Sequence, residues 1–321
     1  MLLKKLFGKK KQSKGIVGIS FLPLGIAIAR SAYTGNIKIR LDYCEYIPAL
    51  NNAEFNSILR QLVTKLNLYD YDCHLVLATN DYRRVNIEAP SVTEEEMIEA
   101  IRWKITDLID FPVDKATIDY YSIPVSSRAN SGNMLEVIAS SNDLIKDLAN
   151  KSKQAGLQLN VIDIQETVLR NLAVLLPENK RGVAVLYLQE SSGTILIEKD
   201  GVIYLSRNFD TGFRDLGLVS SSNTEDNQHK VEQNNLALEI QRSLDYVESY
   251  YGIPPISGLV IVPLAQNTQE LLNILSNNHG ITTRIMDLTA IVDCDILLDD
   301  ATQSRCAPVI GATLRHTVEA L

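Results

Sequence analysis

Cysteine is scarce in this 321-residue sequence: Cys44, Cys73, Cys294 and Cys306 lie far apart, with no CxxC and no neighbouring histidine pair. That spacing offers neither a disulfide framework nor a zinc site, and the four read as reduced thiols. The histidines number only four (His74, His229, His279, His316), none with an i,i+4 partner or an acid–cysteine constellation for metal or nucleophilic chemistry. No apolar run reaches the roughly 20 residues a membrane helix requires. Positive charge is short as well. The net charge of −8 argues against a general nucleic-acid binder, whose face would be basic. The dense cationic cluster, Lys4, Lys5, Lys9, Lys10, Lys11 and Lys14, sits at the extreme N-terminus. It reads as a solvated basic tail over 1–14, with a weak contact to anionic lipid as the sharper alternative.

What is present is an ordinary globular mix, 45% hydrophobic and 22% charged, in a chain long enough for two domains. After the lysines come fifteen almost wholly apolar residues, Gly15 to Ala29, closing on Ala27-Ile28-Ala29. Length and flanks resemble an export signal. Pro23-Leu24-Gly25 at the centre breaks a helix, however, and β-branched Ile16, Val17, Ile19, Ile26 and Ile28 surround it, so two short strands joined by a turn are expected. Residues 1–30 should then remain in the mature protein.

A third strand follows the turn Thr34-Gly35-Asn36, with Ile37, Ile39 and Leu41 alternating with polar residues. Phe55, Ile58, Leu59, Leu62, Val63 and Leu66 predict an amphipathic helix over 54–66, and His74 to Leu77 a strand. The same order restarts at Val183–Leu188, with strands at 194–197 and 202–205, a helix over 235–251 and a buried strand at 259–262. The sequence therefore predicts a duplicated βββαβ unit. Between the copies, Thr93 to Glu96 form a capping box opening a helix to about Leu108. Strand-like 117–123 and 135–139 and a helix from Asn142 to Ala155-Gly156 follow, then a helix over 165–176. The segment 220–233 (SSSNTEDNQHKVEQ) has almost no apolar residue and is expected to be an exposed loop.

Four stretches, EEEMIEAIRWKITDLIDFPVDKATIDY (94–120), KQAGLQLNVIDIQETVLRNLA (153–173), LEIQRSLDYVESYYG (238–252) and APVIGATLR (307–315), resemble the PilM family of type IV pilus assembly, within the actin-like ATPase superfamily. The resemblance is closest to its MshI branch, from mannose-sensitive haemagglutinin (MSHA) pilus biogenesis. It implies an α/β actin-like (ribonuclease H-like) fold with a small α+β subdomain inserted in the first of two duplicated domains. The implied boundaries are 15–82 for the first part of domain 1, 83–153 for the insertion, 154–180 for the return and 181–306 for domain 2. Residues 307–321 would form a C-terminal helix packing back on domain 1.

In nucleotide-binding relatives the first phosphate hairpin reads Asp-Ile-Gly-Ser, its Asp helping to hold magnesium and its small residues letting backbone N–H groups approach the phosphates. By this resemblance Ser20, Phe21, Leu22 and Pro23 occupy those places, removing the carboxylate, filling the space and deleting a donor. The second loop, Asp-Ile-Gly in relatives, falls on Tyr187, Leu188 and Gln189, and the Gly-Gly pair near the adenosine on Pro263-Leu264. The nucleoside-side Glu-x-x-Lys helix of relatives falls where 220–233 lies.

The expectation is a cytoplasmic scaffold peripheral to the inner membrane, a pseudo-ATPase with no cofactor and no metal. It would hold the cytoplasmic N-terminal peptide of a PilN-like membrane protein in a cleft framed by residues 83–175, with other pilus components as further partners. One alternative is a still-active ATPase using ATP and magnesium. Another is the cytoplasmic domain of a type II secretion protein L, after which a membrane helix should follow, whereas this sequence ends at Leu321.

Asp210-Thr211-Gly212 matches the aspartic-protease triplet, but that chemistry needs two carboxylates sharing a proton and the motif occurs once. A turn leaving a strand accounts for it. Trp103 shares the helix of Ile98, Ile101, Ile105 and Leu108 and is expected to pack there, with partner contact as its alternative role.

Overall fold

A computed structural model describes residues 13–34, 38–49, 51–125, 132–218, 226–256, 258–276 and 282–315. Strand β1 (Gly15–Leu22) turns at Pro23-Leu24 into β2 (Gly25–Thr34), which pairs antiparallel with β3 (Lys38–Pro48). The apolar opening is thus two central strands, and Ile16, Val17, Ile19, Ile26 and Ile28 are all buried. Helix α1 (Asn52–Leu66) is capped by the Asn51 side chain accepting from the Glu54 amide. Strand β4 (Asp72–Val76) then lies parallel to β1. After β5 (Arg83–Glu88), α2 (Glu94–Ile105), β6 (Ala116–Ile123) and β7 (Met134–Ser141) come α3 (Asn142–Ala155) and β8 (Gln158–Asp163), which pairs parallel with β4. The first sheet has the order β3-β2-β1-β4-β8.

Helix α4 (Gln165–Ala173) leads to the second copy: β9 (Val183–Leu188), β10 (Gly193–Lys199), β11 (Val202–Phe209), α5 (Asp226–Tyr251), β12 (Leu259–Ile261), α6 (Thr268–Ser276) and β13 (Thr283–Ile285). Its sheet order, β11-β10-β9-β12-β13, repeats the first strand for strand. The short α7 (Leu288–Ile291) and α8 (Asp300–Thr313) close the described chain. Superposing the two orders makes α3 the counterpart of α6, so the element added to the first copy is β5-α2-β6-β7, with its own sheet β5-β7-β6.

Side-chain alternation sorts each central strand into two faces. Val17 and Ile19 join a core under α1, whereas Gly18 faces α8. On β9, Ala184, Leu186 and Leu188 pack with α5 and α6, while Val183, Val185 and Tyr187 face inward. The inner faces of both sheets meet through α4 and α8 in one continuous apolar cluster.

Three sequence expectations change. Residues 226–233 are the first two turns of α5 rather than loop, because their polar side chains dock on the preceding turn: His229 Nδ1 lies 2.8 Å from the Asp215 carbonyl and Gln233 donates to the Leu216 carbonyl. The C-terminal helix starts at Asp300, not 307, with the Asp299 carboxylate accepting from the Thr302 amide at 2.8 Å. The Thr302 hydroxyl and amide, both donating to it, hold the Asp299 carboxyl below its usual range. Trp103 does not pack its helix. Its side chain is 78% exposed, while Ile101 and Ile105, on the opposite face, form the insertion's core. Ile37, the turn at 35–36, the basic segment 1–12 and residues 316–321 lie outside the described residues.

Glu198 on β10 is fully buried, and its carboxylate accepts from the Gly201 amide. Burial pushes its carboxyl from 4.5 up to about 7. A carboxyl raised in the folded state contributes stability that is full below its unfolded value and lost as pH rises through about 7. Glu198→Gln keeps the acceptor without the charge, so it should stabilise the protein by about 1–3 kcal/mol above pH 8 and change little near pH 4. Thermal melts across that range check the sign.

Candidate functional site

Two places between the structural units could act on another molecule. The first is where the phosphate hairpins of an actin-like fold would meet. Ser20 and Leu22 from β1, Val76 to Ala78 after β4, Gln165, Tyr187, Gln189, Arg305 and Pro308 surround a cavity of about 20 Å³. That is room for roughly one water. The hydroxyl of Ser20 donates to the Val76 carbonyl at 3.0 Å, so its proton is committed to the backbone. Tyr187 is buried as a neutral phenol, and burial pushes its ionisation far up. Arg305 lies over the Tyr46 ring at 4.6 Å, and Pro308 faces the same space from within α8.

Of the residues singled out from sequence, Ser20, Leu22, Tyr187 and Gln189 meet here. Phe21 points the other way and stacks edge-on against Phe55 at 6.2 Å, and Leu188 enters the α5 core. Pro23 is exposed in the turn. Pro263 and Leu264 are buried outside the cavity; the Leu264 amide donates at 3.0 Å to the hydroxyl of Thr268, the first residue of α6. No carboxylate lines the cavity, and its volume is that of one water. Among the described residues no group of three or more His, Cys, Asp or Glu could hold a metal.

The second place is a groove of about 690 Å³ between the first sheet and the insertion. Strands β8 and β6 are both terminal in their sheets, and both line it, β8 through Asn160 to Asp163 and β6 through Thr117 to Ser122. The turn Gly201–Ile203 of the second copy and Arg170 of α4 form the floor, where Arg170 donates to the Gly201 carbonyl at 3.3 Å. Asp163, only 5% exposed, pairs with Arg315 at 2.7 Å and accepts from Thr167. An apolar trough with exposed strand edges and a few fixed polar groups suits an extended peptide.

One buried ion cluster fixes the groove's walls. Arg84 of β5 lies 3.2 Å from Glu166 of α4 and 3.7 Å from Glu136 of β7, and donates to the Ser206 carbonyl of β11 at 3.1 Å. The Tyr82 hydroxyl donates to Glu166 at 2.6 Å. Burial raises the Glu136 carboxyl, and the two carboxylates keep Arg84 charged against its own burial. Insertion, first copy and second copy are thus tied at one guanidinium. Sequence reasoning found none of this. Nor did it foresee that Cys44 and Cys306, distant in the chain, would touch as free thiols; the hydrogen bond between them and burial push the Cys44 thiol far up.

Asp210 is exposed, and the Gly212 amide donates to Asp215, so the Asp-Thr-Gly triplet is a turn. No helix among the described residues is long and apolar enough to cross a membrane.

The duplicated sheets with α4 and α8 between them are the fold of the actin-like ATPases. A Bacteroides thetaiotaomicron protein of that fold and unknown function is similar over 89% of this chain and 95% of its own, at TM-score 0.52 and 10% identity. The structure of a PilM-PilN type IV pilus biogenesis complex is similar over 95% of this chain and 99% of that one, at TM-score 0.74 and 16% identity. The cytoplasmic domain of EpsL, an inner-membrane component of the Vibrio cholerae type II secretion system, is similar more loosely, at TM-score 0.47 and 9% identity over 95% and 94% of the two chains. No curated protein matches the sequence. The family model of the type IV pilus assembly protein PilM matches residues 48–214, more than half of the chain, and the chain belongs to that family.

Proposed function

We propose that this protein is a scaffold of a type IV pilus assembly complex that holds the cytoplasmic N-terminal peptide of a PilN-like inner-membrane protein and does not hydrolyse ATP. The observation that carries the reading is the groove where the unpaired edges of β6 and β8 face the same trough. Main-chain bonds to such edges give affinity to an extended peptide, and apolar pockets give selectivity. The structural neighbour that forms a complex with PilN supports the partner. Within that family we read the chain as an MshI-type protein of the MSHA branch, peripheral to the inner membrane on its cytoplasmic side, a reading supported by the resemblance of its four family-like stretches.

Absence of turnover rests on phosphoryl transfer requiring positioned cations and donors around the phosphates. By the family resemblance Ser20 and Tyr187 replace the acids that hold magnesium in nucleotide-binding relatives, and both line a cavity the size of a water.

Val161 lines the groove half-buried and belongs to none of the core clusters, so Val161→Arg should fill the trough without unfolding the protein. Titration of the purified protein with the N-terminal peptide of its PilN-like partner should show saturable binding, weakened more than tenfold by Val161→Arg and unchanged by Trp103→Ala. The reverse pattern moves the interface to the exposed face of α2, and unchanged binding in both variants removes the groove from consideration. ATP turnover with magnesium should stay at background. Turnover abolished by Ser20→Ala or Tyr187→Ala would reveal an active ATPase.

A further inference from the structure

Helix α2 presents a face that the peptide-binding reading leaves unused. Ile101 and Ile105 turn inward to the insertion's core, so Trp103 between them points outward and is largely exposed. Leu108, just past the helix, is exposed as well. No residue of α2 lines the peptide groove. An indole gives a partner a large, rigid apolar surface together with an electron-rich ring face.

The charge around that ring has one sign. Glu99 stands one helical turn before Trp103 and Asp107 one turn after it, and both are exposed. The cations of α2 are turned to other work. Arg102 donates to the Val113 and Ala116 carbonyls and approaches Glu99 only to 3.8 Å, while Lys104 donates to the Glu88 carbonyl at 2.9 Å. Asp107 follows the C-terminal end of the helix, where the backbone dipole is already negative and an acid is disfavoured. Helix stability therefore does not account for it.

We propose that the outer face of α2 is a second docking surface, which takes a basic segment of another protein. An arginine or lysine of that segment sits over the Trp103 ring, and neighbouring cations meet Glu99 and Asp107. A cation over an indole face is attracted by the ring quadrupole, and the flanking acids steer its approach. The chain itself carries −8, so the body of a second copy brings charge of the same sign to this face. The α2 face and the groove share no residue, so filling one leaves the other open. The proposal does not rest on the groove reading.

The test places a photo-crosslinker on the face, Trp103→p-benzoylphenylalanine, in the full chain within its native host. Ultraviolet light is expected to join it to a different protein, at a segment of net positive charge. That segment, made as a synthetic peptide, should bind the purified wild-type chain and shift the fluorescence of Trp103, the only tryptophan in the sequence. By calorimetry, Trp103→Ala should weaken the binding more than tenfold. Glu99→Gln combined with Asp107→Asn should weaken it severalfold at low salt and little at high salt. All three side chains are exposed, so thermal melts of these variants should not fall below that of the wild type. Val161→Arg should change neither the adduct nor the affinity. An adduct with a second copy of this chain, an adduct at an acidic or uncharged segment, no adduct, or an affinity indifferent to the charge changes each overturns the proposal. Loss of the adduct in Val161→Arg would assign the crosslinked segment to the groove, which overturns the second surface and leaves the groove reading standing.

Discussion

Arg84→Ala should cost about 3–5 kcal/mol of stability, because it leaves two buried carboxylates without their shared cation. Glu166 is fully buried and Glu136 nearly so. The loss is the penalty of stranding those charges, not the intrinsic worth of the pairs, and the distinction can be measured. In Arg84→Met combined with Glu166→Gln, one charge is removed with its partner and much of the deficit should return. A pH signature follows. Without Arg84 the Glu136 carboxyl loses the charge that opposes its rise and moves further above its ordinary range than burial already pushes it. Groups raised in the folded state contribute stability at low pH and lose it as pH rises, so the Arg84→Ala deficit should grow from about pH 5 to neutrality. Urea unfolding at several pH values checks both; a loss under 1 kcal/mol, flat with pH, would mean that the cluster is not what ties the insertion to the two copies. The same variant should weaken peptide binding even where it remains folded, since the groove's two walls belong to units that Arg84 joins.

The duplicated sheets were legible because their central strands are buried on both faces and read as apolar runs between turn signals, as at Ile16–Ile19 and Val183–Leu188. The capping box at Thr93 and the stop at Gly156, whose φ is 89°, were legible for local reasons. Strands β5 (RRVNIE) and β8 (QLNVID) were not. Each is short and half-buried, and their charged or amide side chains hide the alternation. Missing β8 concealed the groove, which exists only where two sheet edges from separate units come together. Trp103 was misread because helical spacing does not say which of two faces is buried; Ile101 and Ile105 settle it, and Trp103 lies on the other side. Ser20, Leu22, Tyr187 and Gln189, singled out for the phosphate positions, line one cavity. The period of two then separated Ser20 and Leu22, which face the cavity, from Phe21, which does not. Contacts such as Tyr82 with Glu166, 84 residues apart, leave no mark on a single sequence.

Gly18→Ala and Gly311→Ala should each destabilise the protein by on the order of 3 kcal/mol, the second against the usual direction for a helix. Alanine in place of a helical glycine ordinarily gains about 1 kcal/mol. At Gly311, however, an added Cβ would sit 2.2 Å from the Val168 carbonyl oxygen, and at Gly18 the same distance from the Val309 carbonyl oxygen. Both obstacles are backbone, so relief requires α8 to move away from α4 or from β1. That motion would break the hydrogen bonds that seat the helix. Asn171 donates to the Gly311 carbonyl at 3.0 Å, Ser31 to Thr313 at 2.9 Å, and His74 Nδ1 lies 2.9 Å from the Ala312 carbonyl. It would also withdraw Arg305 and Pro308 from the inter-sheet cavity, so these variants test whether α8 is what keeps that space closed. Gly258→Ala serves as the control, since its nearest neighbours lie at 3.5 Å and alanine there should change stability by less than about 0.5 kcal/mol. Denaturation midpoints lowered in Gly18→Ala and Gly311→Ala but not in Gly258→Ala would establish close packing of α8 as the device that fastens the two copies together. If Gly311→Ala instead stabilises the chain, helix propensity outweighs the contact, and α8 does not lie as close to α4 as described.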